Sequence, residues 1–269
     1  MQISDNVFVV TGGGNGMGRE VVLDLLTRGA RVAAVDLDPA RLDETAKLAA
    51  VAEGRLSLHT VNVADRKAVL ALPDAVIAAH GKVDGLLNVA GIIQPFVKIQ
   101  DLDFDVMERV MNVNFWGVVN MTKAFLPALL ARPAAAVLNV SSMGGFLPVP
   151  GQAVYGASKA AVKLFTEALF AELHETNVAV TVVFPGGVAT NITQNSGVDT
   201  SKMEASMAGK KTPKTTTVAE AGREIIDALE RGSYRLRIGG DSRMMDRLSR
   251  LAPRRATLLI ANQMKSLLG

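Results

Sequence analysis

Tyr155 and Lys159 stand four residues apart and are the pair in this sequence best suited to moving a proton. On a helix that spacing is about one turn, so both side chains leave from one face. A free phenol titrates near pH 10 and is a poor base at neutral pH, but an adjacent ammonium would stabilise the phenolate and lower that value. Ser142 lies 13 residues earlier, at the end of a strand-like run, where its hydroxyl can hold a substrate oxygen beside the phenol. A Tyr and Lys four apart are by themselves commonly no more than helix surface. Their weight comes from what else the chain places around them.

The stretch TGGGNGMG, residues 11–18, follows the apolar run Val7–Val10 and precedes a helical pattern from Arg19 to Thr27. A glycine-rich turn leaving the first strand of a βαβ unit aims backbone N–H groups and a helix N-terminus at an anion, normally a pyrophosphate. Gly12, Gly16 and Gly18 permit the turn and the close approach, with Asn15 and Met17 between them. Asp36 ends the next strand, 18 residues beyond Gly18, about where a dinucleotide fold keeps the acid that accepts from ribose hydroxyls. A carboxylate there repels a 2′-phosphate, neither Leu37 nor Asp38 supplies a cation, and Asn15 is neutral. The expected cofactor is therefore NAD(H) rather than NADP.

The elements that must position these residues alternate along the chain. Val7–Thr11, Arg31–Asp36, Leu56–Asn62, Gly85–Asn88, Ala135–Ser141, Val178–Pro185 and Arg235–Ile238 read as strands. Helical patterns such as Arg41–Ala50, Leu102–Leu130 and Ala157–Thr176 separate them. Nearly continuous apolar strands between amphipathic helices predict an α/β fold, a doubly wound parallel sheet of seven strands with helices on both faces. With 269 residues, 49% of them hydrophobic, one large domain spanning 1–240 can bury such a core. Residues 193–217, polar and interrupted by Gly and Pro, read as a substrate lid.

Taken together, these motifs resemble the short-chain dehydrogenase/reductases, in the branch with TGxxxGxG and YxxxK, over nearly the whole chain. HGKVDGLLNVAG at 80–91 is similar to that family's NNAG strand, and NVNFWG at 112–117 to the segment with its catalytic asparagine, here Asn114. PGGVATNI at 185–192 is similar to its proline-glycine turn near the nicotinamide carboxamide. The resemblance implies a Rossmann-type domain with a catalytic tetrad of Asn114, Ser142, Tyr155 and Lys159. It also implies cofactor contacts from Asn62, Val63, Asn88, Ala90, Gly91, Pro185, Gly186, Val188 and Thr190, besides the glycine turn, Asp36, Leu37, Tyr155 and Lys159. Two positions depart from the pattern: Val89 replaces the second Asn of NNAG, and Asn62 stands where an acid commonly follows the third strand. The implied reaction is hydride transfer between nicotinamide and a secondary alcohol or ketone. In it Tyr155 is acid/base, Lys159 lowers its pKa and holds the nicotinamide ribose, Ser142 steadies the substrate oxygen, and Asn114 holds a relay water. A nucleotide-sensing binding protein on the same fold is the alternative.

Composition bounds the rest. The chain has no cysteine, so it has no disulfide and no thiolate site. His59, His80 and His174 lack ligand spacing, and no metal is expected. There is neither a signal-like start nor an apolar run of membrane-spanning length, which makes the cytoplasm the expected location. Ile93, Phe96, Met143, Phe146, Leu147, Val149, Ile192, Met203 and Met207 suggest an apolar substrate, with Lys202, Lys210 and Lys211 the nearby cations. Residues 241–269 carry five Arg and one Lys against two Asp, while the whole chain sums to +3. This basic, amphipathic extension has Arg243, Arg247, Arg250 and Arg254 on one face and Met244, Leu248 and Leu251 on another. Docking on the domain or on a partner subunit is expected of it ahead of contact with an anionic membrane surface. With only 4% aromatic residues the chain offers no stacking platform for nucleic acid. Long apolar helices and the family resemblance imply a homodimer or homotetramer.

Overall fold

The computed structural model describes residues 1–198 and 215–264. Seven strands form one sheet: β1 (Val7–Thr11), β2 (Arg31–Asp36), β3 (Leu56–Thr60), β4 (Gly85–Asn88), β5 (Ala135–Val140), β6 (Val178–Pro185) and β7 (Arg235–Ile238). Their order is β3-β2-β1-β4-β5-β6-β7, and every pairing is parallel. β1, β4 and β5 are buried at every position, which is why they read as nearly continuous apolar runs instead of alternating ones. The order reverses between β1 and β4, which opens a crevice beyond their carboxyl ends.

Helices cover both faces. They are α1 (Gly16–Thr27), α2 (Pro39–Ala49), α3 (Arg66–His80), α4 (Phe104–Met111), α5 (Gly117–Leu130), α6 (Ala153–Leu173), α7 (Ile192–Asn195), α8 (Val218–Glu230), α9 (Gly240–Leu251) and α10 (Pro253–Met264). On one face Phe8 and Val10 of β1 meet Val21 and Leu25 of α1 and Ile225 and Leu229 of α8. On the other, Val7 and Val9 meet Leu72 of α3, Met121 and Phe125 of α5, and Leu169 of α6. Alternate residues of one buried strand thus feed two cores.

The structure departs from the sequence expectations at several points. β3 ends at Thr60 and β5 at Val140, each short of the predicted end, and α6 spans Ala153–Leu173 where Ala157–Thr176 was expected. The segment expected as one helix from Leu102 to Leu130 is two helices joined through a π turn at Asn112–Trp116. Such a turn inserts a residue into the helical ladder and re-aims the side chains it carries, here including Asn114. Helices α3 and α8 are additional to the segments singled out above, and α3 retains Pro73 within it.

The expected lid, 193–217, starts within α7 and ends where Thr216 bridges Val188; 199–214 lie outside the described residues. The basic extension is docked, but of its predicted apolar face only Leu248 packs inward. Ser242, Met245 and Asp246 are buried, whereas Met244 and Leu251 are exposed. Met245 packs with Leu147 and Ala256. Asp246 receives Arg237 at 2.9 Å and Arg250 at 3.0 Å, with Arg235 at 3.7 Å. Burial pushes the Asp246 carboxyl up, yet these guanidinium groups hold it below the usual carboxylate value.

Candidate functional site

The glycine turn after β1 is built for backbone to approach a ligand. Gly12 has φ +72°, and a Cβ there would lie 3.0 Å from the Ala90 backbone; a Cβ on Gly18 would lie 2.1 Å from the Gly12 carbonyl oxygen. Gly16, at φ +54°, faces open space. The Asn15 side chain caps α1 by accepting the Gly16 N–H at 2.6 Å. Asp36 accepts N–H groups from Gly14 at 2.9 Å and Asp38 at 3.2 Å, so its carboxylate is locked at the rim of the turn.

These residues open onto a cleft of about 370 Å³. Of the positions expected to hold cofactor, Gly12, Asn15, Gly16, Met17, Gly18, Asp36, Leu37, Asn62, Val63, Ala90, Gly91 and Thr190 line it. The cradle that side chains would fill, the α1 N-terminus and the fixed carboxylate together fit a dinucleotide. Arg41 also lines the cleft, with its Nε 3.1 Å from Asp38. Sequence reasoning missed this cation, which stands in the first turn of α2, three residues past the last position considered.

Other expected contacts lie elsewhere. Asn88 is buried, donating to Asn139 at 2.8 Å and Thr122 at 3.4 Å, so it ties β4 to β5 and does not line the cleft. Pro185, Gly186 and Val188 also lie outside the cleft lining. Their turn is held by Asp241, whose carboxylate accepts the Gly187 N–H at 2.7 Å and the Ser242 N–H at 2.8 Å. A Cβ on Gly186 would meet that carboxylate at 2.2 Å. Asp241 is a second residue that sequence reasoning missed, because its partner is 54 residues away.

Tyr155 and Lys159 leave the first turns of α6, and Ser142 starts a short 3-10 turn after β5. The Ser142 hydroxyl accepts the Gly144 N–H at 3.0 Å, and its oxygen and the Tyr155 ring both lie beside Gly144. Lys159 is buried and donates to the Val140 carbonyl at 3.0 Å. A Cβ on Gly91 would lie 3.0 Å from Lys159 Nζ and 3.3 Å from Asn114 Oδ1, so the missing side chain lets these groups converge beside the cleft. Asn114 is fully buried; its Oδ1 accepts the Ile92 N–H, and its Nδ2 donates to the Ile92 carbonyl and to Ser158 Oγ.

The electrostatics differ from the sequence expectation. Burial pushes the Tyr155 phenol above its ordinary value, and the Ser142 hydrogen bond opposes this only in part. Burial lowers Lys159 to about 8.

Among the expected substrate-side residues, Leu147 is core and Met143 and Phe146 pack against its cluster. Ile192 lines the cleft, and the buried Ile93 donates its N–H to Ser196 Oγ at 2.9 Å. Phe96 and Val149 are half-buried. Met203, Met207, Lys202, Lys210 and Lys211 lie outside the described residues. His59 and His80 meet through Ser57 Oγ on β3, at 2.8 and 2.7 Å, and His174 is on the surface.

The short chain dehydrogenase family profile matches residues 6–201. A putative oxidoreductase of Mycobacterium tuberculosis, SadH, is 36% identical over 249 residues, covering 91% of this chain and 90% of that protein. A short chain dehydrogenase from Burkholderia cenocepacia, solved with NADP, superposes with TM-score 0.80 at 26% identity, covering 97% of this chain and 99% of that one. A short chain dehydrogenase/reductase from Burkholderia phymatum, solved with NAD, superposes with TM-score 0.83 at 24% identity, covering 93% and 96%.

Proposed function

Since the chain belongs to the short-chain dehydrogenase/reductase family, we propose that it is an NAD-dependent oxidoreductase acting on a hydrophobic secondary alcohol or ketone, with Tyr155 as its acid/base. The observation that carries this reading is the meeting of Lys159 and Asn114 next to Gly91, at the edge of the glycine-lined cleft, with Ser142 and the Tyr155 ring together beside Gly144. The dinucleotide, when bound, supplies or accepts the hydride.

The chain's own residues do the remaining work. The N–H groups of the Gly12–Gly18 turn would hold the pyrophosphate, Asp36 the adenosine ribose, Lys159 the nicotinamide ribose, and Thr190 and Val188 the carboxamide end. Ser142 would hold the substrate oxygen. A phenol raised by burial is protonated at neutral pH, ready to donate to a carbonyl oxygen; in the opposite direction it must first lose that proton, which a nearby positive charge assists. Solved family members carry NADP in one case and NAD in another. The carboxylate at Asp36, and the pairing of Arg41 with Asp38, support NAD for this chain. No described helix is long and apolar enough to cross a membrane. A cytoplasmic homodimer or homotetramer is the proposed form, supported by exposed Phe104, Trp116 and Leu164 on the neighbouring α4, π turn and α6.

The test is purified protein with NAD and a panel of secondary alcohols, followed at the nicotinamide absorbance. Tyr155→Phe is expected to keep NAD binding and to lower turnover by roughly 10² to 10⁴. Near-parental turnover in that variant would remove Tyr155 from the mechanism. NAD binding with no turnover by the parent would leave the nucleotide-sensing alternative.

A further inference from the structure

The helix that carries Tyr155 begins without a cap of its own. The first N–H groups of an α-helix have no partner inside it, and the residue before the helix normally supplies one. Gln152 stands at that position and makes no capping bond; its amide donates instead to the Gln94 carbonyl at 2.8 Å. The Gly156 N–H is met by the Gln152 carbonyl at 2.8 Å. The Gln152 N–H is met by the Val149 carbonyl at 3.0 Å and Ala153 is exposed, which leaves the N–H groups of Val154 and Tyr155.

Both are met by one atom from a distant part of the chain. Gln94 Oε1 accepts the Val154 N–H and the Tyr155 N–H, each at 2.9 Å. Gln94 Nε2 donates to the Gly151 carbonyl at 3.0 Å, so both ends of the amide are used, and the residue is completely buried. Gln94 sits three residues beyond Gly91, on the loop that lines the cleft from Val89 to Ile92. The same loop is held at Ile92 by Asn114 and at Ile93 by Ser196.

We infer that Gln94 is a positioning residue for the acid/base: its amide caps the Tyr155 helix from the cleft loop and so sets where the phenol stands relative to the cleft. A cap drawn from the adjoining residue would order the helix start without referring it to the cofactor loop. A cap drawn from the cleft loop ties two segments some 60 residues apart into one unit. An Asn at position 94 is one methylene too short, an apolar side chain leaves the two N–H groups without an acceptor, and a Glu has no donor for the Gly151 carbonyl.

The inference rests on the reading of Tyr155 as acid/base, so its test has one readout in turnover and one without it. Gln94→Met preserves side-chain length and removes the acceptor. With NAD and the best alcohol of the panel it is expected to lower kcat roughly 10- to 100-fold, the scale of a small misplacement of a reacting group, while the Kd for NAD stays within about twofold. Gln94→Glu keeps an oxygen for both N–H groups but loses the donor to the Gly151 carbonyl, and is expected to recover only part of that loss. The chain has two tyrosines, so labelling their Cζ carbons yields two titrating signals, and Tyr155→Phe assigns them. In Gln94→Met the Tyr155 phenol is expected to titrate lower than in the parent, as water enters the loosened first turn, with Tyr234 unmoved. If Gln94→Met does not fold, Gln94→Asn carries the same measurements. Parental kcat, or a Tyr155 titration unchanged from the parent, overturns the inference. If the parent turns over no alcohol, the proposed reaction fails, and the phenol titration alone decides the role of Gln94.

Discussion

Asn114 and Ile92 are joined twice: the Asn114 Oδ1 accepts the Ile92 N–H at 2.8 Å, and its Nδ2 donates to the Ile92 carbonyl at 2.9 Å. One amide thus reproduces the pairing of a neighbouring strand, and it fastens the π turn to the cleft loop. The remaining bond, to Ser158 Oγ at 3.0 Å, reaches the Tyr155 helix. The side chain expected to hold a relay water is therefore committed to protein groups at both ends.

Removing that amide should be felt in stability as well as in rate. Asn114→Leu leaves two main-chain groups without their partner, at about 1–3 kcal/mol for a buried unpaired group. Urea denaturation should show a loss of that size, and turnover should fall with it. A variant as stable as the parent would mean that water replaces the amide at no cost.

Lys159 makes stability depend on pH in a defined direction. Its folded value of about 8 lies below the ordinary 10.5 because of burial. Below about pH 8 the amine is protonated both folded and unfolded, and the folded state bears the full cost of the buried charge. Between about 8 and 10.5 the folded state releases the proton first, so the Lys159 contribution to stability rises with pH, by about 3 kcal/mol in all. The raised Tyr155 phenol acts oppositely above pH 10, and comparison with Lys159→Met cancels it. In cofactor-free protein, the advantage of Lys159→Met over the parent should shrink from pH 7 to pH 10. A constant difference would show that Lys159 is not desolvated in solution.

Arg41 lines the cleft but is occupied by Asp38 at 3.1 Å. Asp38 also caps α2 by accepting from Ala40 and Arg41 N–H groups, so Asp38→Ser keeps a capping oxygen while releasing the guanidinium. NADP affinity should rise several-fold, and Asp36→Ala with Leu37→Arg should raise it further by removing the repulsion and adding a second cation. The check is the ratio of Kd values for the two cofactors. A parent that already prefers NADP would reverse the cofactor assignment.

Asp241 ties the C-terminal extension to the 185–188 turn, through the Gly187 N–H at 2.7 Å. Asp241→Ala frees the 185–188 turn and should weaken NAD binding about tenfold, the worth of a charge-assisted hydrogen bond. Asp241→Asn, which keeps one acceptor, should lose less. Fluorescence titration with NADH distinguishes the two, and equal, parental affinities would detach the extension from the cofactor turn.

The sequence alone determined the features that arise from short-range geometry. Parallel strands buried on both faces are apolar at most positions, so β1, β4 and β5 announced themselves. A turn that brings backbone against a ligand excludes side chains, so Gly12–Gly18 was legible. A one-turn spacing puts Tyr155 and Lys159 on one helical face whatever surrounds them. Tertiary structure decided what depends on partners far along the chain. Asn88 turns to β5 and away from the cleft because Asn139 and Thr122 offer it hydrogen bonds there. The helix expected over Leu102–Leu130 breaks into a π turn, where Asn114 meets Ile92. The extension buries Met245 and Asp246 in preference to Met244 and Leu251, because Arg235 and Arg237 of β7 wait for a carboxylate. Gln94 and Asp241 carry no motif: each acts through a partner that only the folded chain brings within hydrogen-bond reach, and local periodicity holds no record of such a meeting.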